Sequence, residues 1–255
     1  MKRLNGKVAL ITGGAKGLGL AIARLFAQHG AAVALADLQE EIACEAAREL
    51  VALNYRAVGI ACDVRLPEQW TSAWTNVEAA FGPVDLLVNN AGVAELASIE
   101  EMDLDGWRAT MAVNLDGVFL GTKCAIEHMR SRGGSIINMS SIRAVAADPN
   151  SIAYDASKAG VAAITRSAAV HCARNRYGIR INTLHPGYVL TDMVNDAIRD
   201  VPDPNALLRQ LEQLHPIGRL GTAEEIAKAA LFLASEDSAF VLGSSLFVDG
   251  GFTAV

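Results

Sequence analysis

The sequence predicts one α/β domain built on a doubly wound parallel sheet of about seven strands, with helices on both faces. Three observations predict it. Short apolar runs alternate with helix-patterned segments along most of the chain. The runs are apolar at every position rather than every second one, as strands covered on both faces are. At 255 residues, 51% hydrophobic and 20% charged, the chain suits one large core.

The first run, 8–12, is a buried strand that breaks into Gly13-Gly14-Ala15-Lys16-Gly17-Leu18-Gly19. A helix follows over about 20–29. The second strand, 32–36, ends at Asp37, and the helix after it reaches about 53. The third strand, 57–61, ends at Cys62-Asp63-Val64. A helix over 67–81 leads to a strand at 84–88 and the turn Asn89-Asn90-Ala91-Gly92. A long helix over about 107–130 precedes a strand at 135–139. The next helix, 151–176, is rich in alanine and glycine, and a strand at 179–184 follows it. A polar region over 187–221 interrupts the alternation. A helix at 223–233 and a strand at 245–248 close the chain. Right-handed crossovers make such a sheet doubly wound, with ligands at the carboxyl ends of its strands. The insertion 190–215, carrying Pro202 and Pro204, predicts a substrate-binding lid.

Composition excludes some partners. A net charge of −6 argues against nucleic acid and anionic membrane surfaces. No apolar run approaches the ~18 residues of a membrane span. The polar start, with a strand directly after it, predicts no signal peptide. Cys44, Cys62, Cys124 and Cys172 are scattered without a C-x-x-C pair, which predicts free thiols in a reducing cytoplasm and no metal site.

The glycine run sits between a strand and a helix, the context in which it binds a dinucleotide. Gly13 permits the sharp turn, Gly17 lets a pyrophosphate approach the backbone, and Gly19 lets the helix lie close. The helix N-terminus offers free amides and a partial positive charge to the phosphates. Asp37, at the end of the second strand, can accept both adenosine ribose hydroxyls and would repel a 2′-phosphate. Lys16 pulls the other way, toward NADP. Asp37 weighs more, because Lys16 can swing to water, so NAD is the expected cofactor. Asp63 is placed to bond the adenine amino group.

Tyr154 and Lys158 are four residues apart, hence on one helix face. Asn114 lies inside the long helix, where asparagine is a poor helix former. Ser140 and Ser141 close the fifth strand, and Pro186-Gly187 follow the sixth. This set, with Thr12 to Gly19, Asn89 to Gly92 and the ending Val248-Asp249-Gly250-Gly251, resembles the short-chain dehydrogenase/reductase family in its compact branch. The resemblance covers nearly the whole chain and implies a Rossmann-type fold. His185 departs from it, since asparagine is commoner before Pro186, and no role is assigned to it.

The resemblance implies the following roles. Tyr154 is the general acid/base. Lys158 bonds the nicotinamide ribose and lowers the Tyr154 pKa. At ~6 Å and an effective dielectric of ~20 its charge is worth nearly 3 kcal/mol, or about two pKa units. Ser141 holds the substrate oxygen, and Asn114 holds a water linking Lys158 to solvent. The Val189 backbone and the Thr191 hydroxyl bind the carboxamide, and Asn90 lines the adenosine ribose side. Leu18, Leu38, Val64, Ala91, Gly92, Pro186 and Gly187 complete the cofactor contacts. Glu95, Arg143, Ala144, Tyr188 and Met193 line the substrate pocket with Ser141.

The implied reaction is hydride transfer between NAD(H) and a secondary alcohol or ketone, alicyclic or hydroxysteroid in character. Alternatives within enzymes are an NADPH-dependent carbonyl or 3-ketoacyl reductase and a sugar or polyol dehydrogenase. A catalytically idle NAD-binding scaffold would have no use for Asn114 in mid-helix. The helices 107–130 and 151–176 carry Ala112, Gly117, Gly121 and Ala125, and Ala159, Ala163 and Ser167, on faces expected to point outward. Pairing of those faces predicts a homotetramer.

Overall fold

The computed structural model describes residues 2–191, 201 and 203–255. Among them, seven strands form one parallel sheet: β1 (Val8–Thr12), β2 (Ala32–Asp37), β3 (Ala57–Ala61), β4 (Leu86–Asn89), β5 (Gly134–Met139), β6 (Ile179–Pro186) and β9 (Ser245–Val248). Their order is β3-β2-β1-β4-β5-β6-β9. The order reverses between β1 and β4, which pair through Ala9–Leu86, Leu10–Leu87 and Ile11–Val88. The loops leaving these two strands diverge, and the crevice between them is where such a sheet takes a ligand.

The period of two along each strand builds two cores. From β1 and β2, Ala9, Ile11, Val33 and Leu35 face one side. There they meet Ile22 and Phe26 of α1 (Gly17–Gln28) and Ile226 and Leu231 of α8 (Ala223–Ala234). Val8, Leu10, Ala32 and Ala34 face the other side. There they meet Trp70 and Trp74 of α3 (Pro67–Phe81), Met129 of α5 (Gly117–Met129) and Cys172 of α6 (Ile152–Arg174). Phe26, Trp70 and Trp74 are among the largest side chains with no solvent contact, each contributing about 1.5–3 kcal/mol or more of apolar burial.

Most expected strand limits hold, with small changes of physical origin. β4 begins at Leu86, later than expected, and the Asp85 amide just before it still reaches across to the Val8 carbonyl. β6 runs on to Pro186 because Thr183 to Pro186 pair with Ser245 to Val248. α2 (Glu40–Ala52) closes at the expected place. The long helix starts earlier than expected, as α4 (Leu104–Met111), because the Asp103 carboxylate caps it by accepting from the Gly106 amide at 2.8 Å. It then widens into a π turn over Ala112–Asp116 before α5.

The region after β6 holds more structure than expected. β7 (Val189–Leu190) pairs in parallel with β8 (Gly221–Thr222). α7 (Pro204–Gln213) is capped by Asp203, with Pro204 at its start. The rest of the expected 190–215 lid, including Met193, lies largely outside the described residues. No helix among the described residues is long and apolar enough to cross a membrane.

One expected surface is reversed. Gly117, Gly121 and Ala125 face the core, not the exterior. A Cβ on Gly121 would stand 2.4 Å from the Trp70 ring and 2.3 Å from Asn89 Oδ1. A Cβ on Gly117 would stand 2.8 Å from Val64. These glycines let α5 lie against α3 and β4. The outer face of α5 carries Asp116, Phe119, Lys123 and Glu127 instead.

Candidate active site

The glycine turn after β1 is held by β4. Thr12 Oγ1 accepts from the amides of Asn90 at 3.0 Å and Ala91 at 3.1 Å. Asn90 Nδ2 donates to the carbonyls of Thr12 at 3.0 Å and Gly13 at 3.1 Å. Asn90 thus fixes the loop with its own side chain, a different task from the ribose contact expected of it. Gly13 and Gly17 lie at φ +59° and +52°, the left-handed region that favours glycine. A Cβ on Gly19 would meet the Gly13 carbonyl oxygen at 2.1 Å, so Gly19 lets the helix close on its own loop rather than on the sheet. Gly14, not singled out in the sequence, would press a Cβ to 2.9 Å from Leu35.

Asp37 stands beside this loop as expected. Its Oδ2 accepts from the Ala15 amide at 3.3 Å and its Oδ1 from the Gln39 amide at 3.1 Å. Lys16 Nζ donates to Gln39 Oε1 at 3.3 Å. Leu38 is exposed. Asp63 is committed elsewhere: Arg65 grips it through Nε at 2.9 Å and Nη2 at 2.6 Å. That hydrogen-bonded guanidinium holds the Asp63 carboxyl below its ordinary pKa. Val64, next to it, is buried and accepts from Trp70 Nε1 at its carbonyl.

These residues fit a dinucleotide on two observations. No side chain caps the N-terminus of α1, and its first turn holds no acidic residue, so its amides face the crevice unopposed. A Cβ on Gly17 would have only Thr191 near it, at 4.0 Å, so backbone stands open to a phosphate there. Thr191 itself faces the loop across that space.

The second half of the site lies on β5, the π turn and α6. Asn114, in the π turn, is fully buried. Its Oδ1 accepts from the Val93 amide at 2.8 Å, and its Nδ2 donates to the Val93 carbonyl at 2.8 Å and to Ser157 Oγ at 3.2 Å. The poor helix former sits where the helix ladder is already altered, and its side chain fixes the strand-end backbone beside Gly92. A Cβ on Gly92 would stand 3.2 Å from Asn114 Oδ1 and 3.5 Å from Lys158 Nζ. At the next residue of α6, Ser140 Oγ donates to the Lys158 carbonyl at 2.8 Å.

Lys158 is buried, and its Nζ donates to the Met139 carbonyl at 3.0 Å. It lies 5.5 Å from the centre of the Tyr154 ring. Burial brings its pKa down to about 8. Burial also raises the Tyr154 phenol, which a hydrogen bond with Ser141 lowers in part. The net direction set by the chain's own groups is therefore upward, with Lys158 beside the ring. Loss of solvation disfavours the phenolate more than the neighbours favour it. The cation that lowers Tyr154 is Arg143, while Asp155 and Tyr188 raise it.

Ser141 opens a short 3₁₀ turn over Ile142–Ala144, its Oγ accepting from the Arg143 amide at 3.2 Å. His185 sits behind it, buried, with Nδ1 2.9 Å from the Ser141 carbonyl and Nε2 2.8 Å from Thr183 Oγ1. Since the carbonyl can only accept, Nδ1 carries the proton. Burial lowers the His185 pKa, so the ring is neutral. The sequence assigned His185 nothing, and only the departure from asparagine marked it.

Pro186 ends β6. Gly187 could not carry a side chain, since a Cβ would stand 2.8 Å from His215 Nε2. Val189 is buried in the β7–β8 pair. Arg143, Ala144 and Tyr188 gather beside Ser141. Glu95 is exposed, its carboxylate lying over Gly106 of α4. Among the described residues no group of three metal-ligating side chains converges. The thiols are free, and burial pushes Cys62 up to about 12 and Cys124 up to about 11.

The arrangement places Ser141, Tyr154 and a buried lysine together at the carboxyl edge of the sheet, opposite the glycine turn. Known proteins share this plan. A family model described as enoyl-(acyl carrier protein) reductase matches residues 13–253. An NADP-dependent (R)-specific alcohol dehydrogenase of Lentilactobacillus kefiri is 40% identical, covering 99% of this chain and 98% of that protein. A cis-4-hydroxycyclohexanecarboxylate dehydrogenase of Sinomonas cyclohexanicum is 44% identical, covering 98% of this chain and 97% of that protein. The crystal structure of a gluconate 5-dehydrogenase from Burkholderia cenocepacia J2315 in complex with NADP and tartrate superposes with a TM-score of 0.92 at 40% identity, covering 99% of this chain and 97% of that one. With the fold, the glycine turn and the serine–tyrosine–lysine cluster all in place, the chain belongs to the short-chain dehydrogenase/reductase family.

Proposed function

We propose that this protein interconverts a secondary alcohol and its ketone, with an alicyclic substrate and NAD(H) as the cofactor. The observation that carries the reading is the meeting of Ser141, Tyr154 and buried Lys158 at the mouth of the crevice, with Lys158 Nζ 5.5 Å from the centre of the Tyr154 ring. When bound, the nicotinamide takes or gives the hydride. Gly13, Gly17 and Gly19 with the α1 amides would hold the phosphates, and Asp37 the adenosine ribose. Ser141 orients the substrate oxygen. Tyr154 moves the proton at that oxygen, taking it from the alcohol or giving it to the ketone. Asn114 and His185 keep the backbone on either side of Lys158 and Ser141 in register.

An apolar substrate fits the rim, where Val93, Leu96, Val145 and Leu190 are exposed. The Sinomonas relative, named for a hydroxycyclohexane substrate, supports an alicyclic ring. Asp37 supports NAD. NADP is the second reading, favoured by Lys16 and by the cofactors named for the Lentilactobacillus and Burkholderia proteins. A reducing cytoplasmic setting suits four cysteines that stand as free thiols. A homotetramer remains our reading of the assembly, now on corrected grounds. Phe119 of α5 and Ala159, Ala163 and Ser167 of α6 are exposed, and Phe119 and Ser167 line a groove between the two helices with Lys123 and Glu127. A monomer by light scattering at micromolar concentration would remove that reading.

The central test is a panel of cyclic alcohols, hydroxysteroids, polyols and 3-hydroxyacyl thioesters, assayed at the absorbance of the reduced cofactor with NAD and with NADP. The expected result is turnover of cyclic alcohols with NAD, lost in Tyr154→Phe while cofactor binding stays. Turnover by Tyr154→Phe at anything near the wild-type rate would sink the mechanism.

A further inference from the structure

Ser141 and Tyr154 account for the chemistry but not for the cluster packed beside them. Arg143 follows Ser141 by two residues, and its side chain is only 12% exposed. Its Nη2 donates to Asp148 Oδ2 at 2.8 Å and also to the Tyr188 hydroxyl, while Nη1 donates to the Ala146 carbonyl at 3.3 Å. The guanidinium carbon lies 5.6 Å from the centre of the Tyr188 ring and 6.0 Å from that of Phe252. A guanidinium this buried is costly unless its donors are matched. Here the planar fork serves three acceptors in fixed directions, the carboxylate and the phenol from Nη2 and the Ala146 carbonyl from Nη1, a geometry that the compact ammonium of a lysine does not reproduce.

Both partners of Arg143 are tied to elements that matter. The Asp148 amide donates to Asp155 Oδ2 at 2.8 Å, and Asp155 neighbours Tyr154 in the first turn of α6. Ser151 Oγ holds the other oxygen of Asp155. The Tyr188 amide donates to His215 Nε2 at 3.2 Å, and His215 Nδ1 donates to the Leu211 carbonyl of α7 at 2.8 Å. A continuous run of hydrogen bonds therefore joins the catalytic helix to α7 through Asp148, Arg143 and Tyr188. We propose that Arg143 is a specificity-determining positioning residue: its grip on Tyr188 and Asp148 fixes the Tyr188 ring as a wall of the substrate pocket and so limits the ring size that reaches Ser141 and Tyr154. The inference rests on the reaction proposed above.

The same placement gives Arg143 an electrostatic effect that a purely structural residue lacks. The groups facing Tyr154 are Ser141 and Arg143 from the turn after β5, Tyr188 from the connection after β6, and Asp155 and Lys158 from its own helix, with His185 behind Ser141. Among them the Arg143 charge lowers the Tyr154 pKa. Removing that charge moves alcohol oxidation to higher pH, because oxidation needs the phenolate.

The test compares wild type, Arg143→Met, Arg143→Lys and Tyr188→Phe on cyclohexanol and on a bulky bicyclic alcohol, with kcat/KM measured across pH. Arg143→Met and Tyr188→Phe are each expected to lower the small-to-bulky preference about tenfold, the size of one lost pocket contact. Only Arg143→Met is expected to shift the pH profile upward, by about half a unit, since Tyr188→Phe removes a group that raises Tyr154. Arg143→Lys keeps the charge but not the fork, so it keeps the profile and loses preference. Tyr188→Phe removes a single hydroxyl, so it reports even if an Arg143 variant folds poorly. An unchanged preference in Tyr188→Phe overturns the inference, and so does an equal pH shift in Tyr188→Phe and Arg143→Met. Wild type inactive on every cyclic alcohol would instead overturn the reaction itself, and the inference with it.

Discussion

Lys158→Met is expected to make the folded protein more tolerant of neutral pH while abolishing its activity. Burial lowers the Lys158 pKa from 10.5 to about 8. A depression of about 2.5, at 1.36 kcal/mol for each pKa unit, comes to roughly 3 kcal/mol. The folded pKa lies below the unfolded one, so the unfolded chain binds the extra proton between these values. The penalty is therefore fully present below about pH 8 and fades as pH rises toward 10.5. Replacing the amine also removes the bond to the Met139 carbonyl, worth ~1 kcal/mol net. That loss varies little with pH, whereas the charge penalty varies strongly. The stability of the variant relative to wild type is thus expected to improve by roughly 3 kcal/mol at pH 6.5 compared with pH 10.5. Urea unfolding followed by the fluorescence of buried Trp70 and Trp74, at several pH values, measures it. A relative stability that is the same at both ends of the range would show that Lys158 is not held as a costly buried ammonium.

Three further outcomes follow from the geometry. Gly121→Ala forces a methyl group onto Trp70 and Asn89, so thermal unfolding should show a loss of about 1–3 kcal/mol, and an unchanged midpoint would mean that α5 sits less close to α3. His185→Ala removes the donor behind the Ser141 carbonyl. It should lower kcat about tenfold with cofactor affinity intact, and His185→Asn should recover part of the loss; equal rates in all three proteins would leave His185 a packing residue. Because burial raises the Tyr154 phenol, alcohol oxidation should rise with pH through neutrality while ketone reduction does not, and parallel profiles in the two directions would contradict that direction.

The parallel sheet was legible because burial on both faces leaves its mark on every residue of a strand. The glycine turn was legible because its constraint is local, within Gly13 to Gly19. What escaped is non-local or symmetric in appearance. Gly117 and Gly121 read as small residues whichever way they face, and only the position of Trp70 decides that they point inward. The bond from Arg143 to Tyr188 spans 45 positions and follows from how β5 and β6 lie together. The π turn was half visible: Asn114 was out of place in a regular helix, but nothing in its neighbours says that the ladder widens there. α7 was missed inside a polar stretch, although Asp203-Pro204 is a helix-start signal. The pairing of Asp63 with Arg65, two residues away, is likewise a matter of how the turn after β3 folds back, which residue types alone do not specify.

The tyrosine and lysine are commonly thought of as an acid lowered by a neighbouring cation, but this pocket treats both alike. It takes Lys158 out of water and Tyr154 in part, and desolvation drives each toward its neutral form: up for the phenol, down for the amine. A neutral phenol hydrogen-bonded to Ser141 is already the form that donates a proton to a carbonyl oxygen. Positive charge near that oxygen is then the quantity that decides how readily the phenol gives up its proton, and within the chain Arg143 supplies it from the pocket wall. The residue that shapes the wall and the residue that biases the acid are therefore one and the same. A substitution at position 143 that removes the charge therefore alters the acidity of Tyr154 together with the fit of the substrate, whereas lysine alters the fit alone.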